Sequence, residues 1–316
     1  IFGSTGQAQL IPINEKIALL NKLSLSKYKD KFLVGTGLNS LIETINLMKI
    51  ATSLNLNKFL IMPPAYYKYG DKEVIQFYTR IINAVPNSRI ILYNFEKLCG
   101  YKFSLDCVKE LVKIFPDQIV GVKDSSYNLF ENLKIENFSV LPGSEIKLLK
   151  GLEVGCSGII TATCNVTASL SRKVYDDFID KKKQSSNEKL CNVRSIFDKF
   201  NLISGLHSFM SDEDEIYKNV LPPISLLDEV DKQQLINDLN KIDFNLRSLN
   251  PSLLINSELD ILAIVLLAPN CFAKKQVEKF VVSEEVSETT KSDVLTLASF
   301  KTEIEAEFPS IVLMSS

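Results

Sequence analysis

The residues best suited to carry out chemistry are a lysine and a tyrosine that end two successive apolar runs. Lys123 follows the run 119–122, and Tyr93 follows the run 90–92. Burial at the end of a strand disfavours the charged amine, and a neutral amine can attack a ketone to form a Schiff base. A neighbouring phenol can relay protons to and from the carbinolamine. On the pattern alone, a lysine that only reaches the rim of the sheet is a better fit than a Schiff-base lysine. An ordinary core tyrosine fits about as well as a proton-relaying one.

A small polar turn near the first residues offers a second group of candidates. Ser4 and Thr5 lie within Gly-Ser-Thr-Gly-Gln, residues 3–7, where hydroxyls and backbone N–H groups can hold a carboxylate. A plain strand-to-helix turn has the same composition. Tyr66 and Tyr67 follow two prolines at the end of another apolar run, where they either pack at a rim or reach a site.

Short apolar runs alternate with segments of helical spacing, and such runs are typical of strands buried on both faces of a parallel sheet. The predicted strands are 32–37, 59–64, 90–94, 119–124, 138–143 and 158–162, with residues 1–3 as the end of another. The predicted helices between them are 41–50, 73–85, 104–115 and 145–154. Repeated strand–helix units predict a (β/α)8 barrel, whose reacting groups project from the carboxyl ends of the strands. An open doubly wound sheet is the alternative, although no GxGxxG turn follows any strand.

After residue 162 the pattern becomes helical. Helices are predicted over 165–180, 188–207 and 226–244, with a stiff break at 221–223. We therefore expect an incomplete barrel over 1–180, a C-terminal helical extension over 181–245 and a tail of unknown role over 246–316.

Composition excludes several classes of protein. The net charge of −2 and the pI of about 5.7 give no basic field for nucleic acid. A single histidine, His207, leaves little scope for a histidine-rich metal site or a Ser-His-Asp arrangement. The six cysteines form no CxxC pair, and the longest apolar run, 261–269, is too short for a bilayer. We expect a cytoplasmic protein with no metal or other cofactor and no nucleic-acid or membrane partner.

Taken in order, these motifs resemble the dihydrodipicolinate synthase / N-acetylneuraminate lyase family, and the resemblance covers about residues 1–245. The motifs are Gly3-Ser4-Thr5-Gly6, Pro64-Ala65-Tyr66-Tyr67, Tyr93-Asn94 with Gly100, Gly121-Val122-Lys123-Asp124, and Gly158-Ile159-Ile160 with Asn165. The resemblance implies a class I aldolase on a (β/α)8 barrel, which needs no cofactor. Members are usually tetramers built from tight dimers, and most act on pyruvate.

The resemblance also implies roles for individual residues. Lys123 matches the Schiff-base lysine and Tyr93 the proton-relaying tyrosine. Ser4 and Thr5 match the pair that binds the pyruvate carboxylate and links to that tyrosine. Tyr66 matches a tyrosine that members insert across the dimer interface into the neighbouring site.

Further positions match contacts to the two substrates. Ile160 matches the backbone position beside the bound keto acid. Ser125 and the loop Gly143-Ser144-Glu145 fall where members contact the second substrate. The implied activity is a pyruvate-dependent aldolase or lyase that forms or cleaves a 2-keto acid, with an aldehyde as the other partner.

The sequence departs from the family pattern at positions that govern the second substrate. Glu96 stands where members commonly have proline, and Leu98 stands where dihydrodipicolinate synthases carry an arginine that grips the semialdehyde carboxylate. Lys97 beside it lacks the bidentate fork of an arginine. Ala162 stands where sialate lyases have serine. These departures favour another aldehyde or keto acid over 4-hydroxy-tetrahydrodipicolinate synthase activity in lysine biosynthesis.

The first residues also depart from the pattern, because only Ile1 and Phe2 precede the Gly-Ser-Thr-Gly turn. Family members place a strand, a helix and most of a second strand there. We therefore expect a barrel that lacks its first strand–helix unit, from an N-terminally truncated member whose full-length parent is an enzyme and a dimer of dimers. The alternatives are a non-catalytic keto-acid-binding relative and an inactive fragment.

Overall fold

The central sheet is parallel, and its five strands follow one another in chain order. A computed structural model describes residues 1–245 of the 316-residue chain, so the predicted tail 246–316 lies outside the described residues. The strands are β1 (Val34–Gly35), β2 (Lys58–Ile61), β3 (Arg89–Asn94), β4 (Ile119–Asp124) and β5 (Ser139–Pro142). This order excludes the doubly wound alternative, whose strand order reverses, and is that of an incomplete (β/α)8 barrel.

The predicted strand end at residues 1–3 runs beside β1 without being a strand. The Gly35 N–H donates to the Ile1 carbonyl at 2.8 Å, as a sheet neighbour would. Phe2 then adopts a φ of 56°, which takes the backbone out of the extended region before a ladder can form.

The predicted strand over 158–162 is likewise an extended segment rather than a strand. Its Ile160 N–H donates to the Pro142 carbonyl of β5 at 3.1 Å. Pro142 has no N–H with which to return a bond, and Gly158 has a φ of 147°, so a continuous ladder does not form.

Within residues 1–245 the chain forms ten α-helices. They are α1 (Ile13–Ser24), α2 (Leu41–Ser53), α3 (Asp71–Ala84), α4 (Glu96–Cys99), α5 (Leu105–Ile114), α6 (Leu148–Glu153), α7 (Cys164–Ile179), α8 (Asn187–Phe197), α9 (Leu202–Met210) and α10 (Glu229–Asn240). Side-chain caps fix where helices begin: Ser40 accepts from the Glu43 N–H ahead of α2. None of the helices in this described part is long and apolar enough to cross a bilayer.

The segment predicted as one helix over 188–207 is two helices, α8 and α9. Asn201 separates them, because its side-chain oxygen accepts hydrogen bonds from the Ile203 and Ser204 N–H groups at 3.0 and 3.2 Å. A side chain that caps a new first turn cannot sit inside a continuous helix, so apolar spacing alone misses the break.

The two faces of the sheet pack against different partners. The outward face packs against α1, α2, α3 and α5, in a cluster that includes Val34, Phe59, Ile90 and Val122. The inward face forms a separate cluster, whose members lie in the strands or in the segments beside them: Leu33, Leu60, Ile91, Tyr93, Val120, Leu141 and Ile160. Side chains that fill the inside of a curved sheet, with helices outside, are the arrangement of a barrel.

A β-bulge in β4 sets which residues of that strand face inward. Ile90 of β3 pairs with Ile119, but Ile91 pairs with Gly121, so Val120 is an extra residue. The bulge shifts the alternation by one, and Lys123 becomes the register partner of Tyr93.

The C-terminal helices hold the turn at residues 3–7 through one glutamine. The Gln7 carbonyl oxygen accepts the Leu221 N–H at 2.6 Å, so its amide nitrogen faces the His207 Nε2 at 3.3 Å. The His207 Nδ1 lies 2.7 Å from the Tyr217 carbonyl and must donate to it. His207 is therefore neutral, with a bare Nε2 that accepts from Gln7.

We expect this histidine to make folding stability depend on pH. Burial lowers the pKa of His207 below its usual 6.5, and the bond to the Tyr217 carbonyl only partly opposes this. Because the unfolded chain binds the proton more tightly, stability falls as the pH drops below about 6.5 and levels off below the folded-state pKa. Urea unfolding between about pH 7 and pH 5 should show a smaller loss in His207→Asn, which keeps a donor near Tyr217. Equal losses in both proteins would contradict the assignment.

Candidate active site

Lys123 and Tyr93 lie side by side on the inward face of the barrel. They are register partners at the ends of β4 and β3, and each side chain is buried, with 4% and 5% of its surface exposed. The Lys123 Nζ lies 4.3 Å from the centre of the Tyr93 ring. The structure thus brings together the two residues that the sequence singled out for Schiff-base chemistry.

The polar turn places Ser4 beside this pair, so that Lys123, Tyr93 and Ser4 form a row. The Ser4 Oγ lies 3.2 Å from the Tyr93 Oη, and either hydroxyl can donate. Thr5 is buried beside Ser4, and the Gln7 N–H closes the turn on the Ser4 carbonyl at 3.1 Å. The Ser4 hydroxyl can therefore exchange a proton with the phenol, whose ring lies beside the amine.

A pocket opens between this turn and the ends of the first strands. Ser4 and Tyr93 line it together with Gly35, Gly37 and Met62. The glycines are required by close approach, since a Cβ on Gly35 would lie 2.1 Å from the Phe2 carbonyl oxygen. The glycines thus let Phe2 and Ala8 pack closely against the end of β1 and the segment that follows it.

The predicted second-substrate contacts come together at the ends of β4 and β5. A Cβ on Gly143 would lie 2.2 Å from the Ser125 Oγ, so that hydroxyl packs directly against the glycine backbone. Ser144 follows and is buried. Ile160 is fully buried in the same inward cluster as Tyr93 and Leu141, and Leu141 is the register partner of Lys123.

The structure does not bring Tyr66 to the lysine. Its side chain is 88% exposed and packs edge-on against Tyr67, with ring centres 5.2 Å apart. A φ of 87°, rare for a residue with a side chain, turns it outward. The loop is anchored on both sides, because the Ala65 N–H donates to Asn39 at 2.9 Å and the Tyr69 hydroxyl donates to the Pro64 carbonyl.

A buried carboxylate that sequence reasoning missed fixes the end of β4. Asp124, directly after the lysine, accepts a hydrogen bond from the Asn94 side chain at 2.8 Å. It also accepts from the N–H groups of Tyr127, Leu129 and Phe130 at 2.8–2.9 Å. The signal in the sequence was that Asn94 and Asp124 occupy the same place in successive strands, one residue after Tyr93 and Lys123.

Asp124→Ala is expected to lower the free energy of unfolding by at least about 3 kcal/mol, because four donors lose a charged acceptor inside the protein. Denaturant unfolding measures this loss. Asp117→Ala is the matched control, since Asp117 is exposed in the turn before β4. If both variants lost the same small amount, Asp124 would not hold the loop after the lysine.

Across residues 1–245 no three His, Cys, Asp or Glu side chains gather as metal ligands would. The groups that meet at the strand ends are an amine, a phenol and hydroxyls. These groups can attack a carbonyl and move protons.

The fold and the site together are those of a (β/α)8-barrel protein with a buried lysine at the end of one strand. The chain belongs to the dihydrodipicolinate synthetase family, whose model matches residues 1–242. The family resemblance expected from the motifs is thereby confirmed.

Among curated proteins, the chain is 27% identical over 183 residues to an uncharacterized DapA-like lyase of Chloroflexus aurantiacus, covering 56% of this chain and 61% of the relative. It is 27% identical over 179 residues to an N-acetylneuraminate lyase of Clostridium perfringens, covering 55% and 61%. The chain thus spans about three fifths of the length of these curated relatives.

Among solved structures, the chain resembles YagE, a prophage protein of the dihydrodipicolinic acid synthase family from E. coli K12, solved in complex with pyruvate. The TM-score is 0.67 at 22% identity, over 77% of this chain and 86% of that one. At this identity the similarity concerns the fold.

Proposed function

We propose that this chain carries the site of a pyruvate-dependent aldolase or lyase that works through a Schiff base on Lys123. The observation that carries the proposal is the buried row in which the Lys123 Nζ lies 4.3 Å from the Tyr93 ring centre. The Ser4 hydroxyl, 3.2 Å from the Tyr93 Oη, extends the row. The names of the relatives, which include lyases and aldolases, support the same class of reaction.

In the proposed reaction the Lys123 amine attacks the ketone carbon of a 2-keto acid and forms a carbinolamine. Tyr93 gives a proton to the departing hydroxyl, so that water leaves and the imine forms. Loss of a proton from the methyl group gives the enamine, which adds to an aldehyde; the reverse steps cleave a longer 2-keto acid. Ser4 orients the phenol, and the turn with Thr5 holds the carboxylate through its N–H groups and hydroxyls.

Residues at the rim of the site indicate which second substrate it accepts. Leu98 of α4 is 41% exposed where a carboxylate-gripping arginine is expected for a 4-hydroxy-tetrahydrodipicolinate synthase, and Lys97 is exposed beside it. Ser125 and Ser144 offer hydroxyls at the ends of β4 and β5. We favour an aldehyde without a carboxylate at the α4 side, which a panel of aldehydes scored by product mass would identify.

Tyr66 belongs to the proposal as a residue that acts on a neighbouring subunit. Its exposed ring, held outward by an anchored loop, suits insertion into a second copy of the chain. We further propose that the assembly is a dimer of dimers, and that residues 1–180 and 181–245 are its barrel and its helical extension.

Borohydride reduction in the presence of pyruvate tests the proposed function. An imine on Lys123 would be reduced to a stable secondary amine, which peptide mass spectrometry locates. No adduct on any lysine would overturn the proposal. Thermal stabilisation by pyruvate without an adduct or turnover would indicate a keto-acid-binding relative instead.

A further inference from the structure

A buried polar network surrounds a carboxylate that the proposed reaction does not use. Glu145 follows Ser144 at the end of β5, and its side chain has no exposed surface. Three threonine hydroxyls donate to it: Thr161 at 2.8 Å, Thr163 at 2.5 Å and Thr167 at 3.2 Å. These donors come from the extended segment 158–162 and from the start of α7.

The charge of Glu145 is balanced by an arginine of the C-terminal helices. Arg194 of α8 is only 7% exposed, and its Nη1 lies 3.2 Å from the Glu145 Oε2. The same nitrogen donates to the Thr161 hydroxyl at 2.8 Å, and the Nε donates to Asp198 at 2.9 Å. Burial works to lower the pKa of Arg194, but the Asp198 and Glu145 carboxylates outweigh it and raise the pKa, so the guanidinium stays charged.

The network joins three separate segments at one place. Glu145 follows Ser144 in the sequence, and Thr161 follows Ile160. Two of the proposed substrate contacts therefore lie next to residues of this network. A buried carboxylate and a buried guanidinium cannot separate without leaving an unpaired charge away from water, so the three segments are held as one unit. The planar guanidinium reaches Asp198 through its Nε and both Glu145 and Thr161 through its Nη1, whereas the donors of a lysine ammonium all lie on one nitrogen.

We propose that Arg194 and Glu145 are positioning residues, through which helix α8 holds Ser144 and Ile160 in the geometry that binds the two substrates. The roles of Ser144 and Ile160 rest on the proposed function. The coupling of α8 to the two segments does not, and it can be measured without substrate.

Arg194→Lys tests this inference in the 316-residue chain. It keeps the positive charge but loses the fork. We expect the KM for pyruvate and for the aldehyde to rise about tenfold or more, with kcat changed less than about threefold, because Lys123 and Tyr93 stay in place. Amide hydrogen exchange should become faster in 143–148 and 158–167. Arg172→Lys is the matched control, since the Arg172–Asp176 ion pair lies within α7 and is partly exposed.

A double variant, Glu145→Gln with Arg194→Met, guards against simple misfolding because it leaves no unpaired buried ion. It should keep a cooperative unfolding transition and show the same rise in KM and in exchange. Unchanged exchange in Arg194→Lys would overturn the inference, and so would faster exchange with unchanged KM values. If wild type forms no pyruvate adduct while exchange responds as expected, the proposed function fails and the coupling through α8 stands.

Discussion

Lys123→Met is expected to abolish the pyruvate adduct and to lower turnover by about four orders of magnitude or more, because Lys123 supplies the amine of the row. Methionine keeps the length and the apolar stem of lysine, so the inward cluster with Tyr93 and Leu141 should stay packed. The measurement pairs borohydride trapping, read by peptide mass, with steady-state turnover. A melting temperature close to that of wild type would show that the loss is chemical.

Lys113→Met provides the matched control for this substitution. Lys113 lies on α5 with 78% of its side chain exposed, and it forms an ion pair with Glu110 at 3.6 Å. It should keep both the adduct and the turnover of wild type. An adduct that persists in Lys123→Met would remove the central residue from the mechanism.

Tyr93→Phe should lower kcat by about 10²- to 10⁴-fold, the range typical of losing a positioned proton donor. The ring stays beneath the Lys123 amine, so packing is retained, while Ser4 loses its hydroxyl partner. Trapping over time distinguishes the rate of adduct formation from the final yield of adduct. The adduct should form slowly but reach the same yield as in wild type after long incubation. Phenylalanine lacks only the oxygen that would protonate the leaving hydroxyl of the carbinolamine.

Tyr28→Phe is the control for this variant, because Tyr28 lies in the loop between α1 and β1, among the lysines Lys27 and Lys31. It should leave trapping and kcat unchanged. If Tyr93→Phe formed the adduct as fast as wild type, water rather than the phenol would be the proton relay.

The row of Lys123 and Tyr93 could be predicted because parallel strands end at the same edge of a sheet. An apolar run that ends in a polar residue therefore marks the position of that residue in space as well as in sequence. The strands β2, β3 and β4 could be predicted for the same reason. The extended segment 158–162 could not be told from a strand, because its composition is that of a strand while Gly158 and Pro142 decide its hydrogen bonds.

The pairing of Glu145 with Arg194 could not be predicted from the sequence. Helical spacing over 145–154 places Glu145 at the start of a helix, where an acidic residue is ordinarily exposed and favoured by the helix dipole. Arg194 lies 49 residues further on, within a helix of mixed polarity. By contrast, the break between α8 and α9 was readable in principle, because an asparagine followed by an apolar segment is a helix start signal.

The bulge in β4 gives that strand one residue more than its pairing with β3 requires. If all the residues of β4 paired continuously from Ile119 onward, Tyr93 would pair with Val122 and the lysine would pair with Asn94. Because the bulge takes up Val120, a single deletion within 120–122 can be absorbed by closing the bulge, which leaves Lys123 opposite Tyr93. The strand therefore has one residue of slack on the side of deletions, and we expect a one-residue deletion there to cost less of the pairing than the burial of the strand suggests.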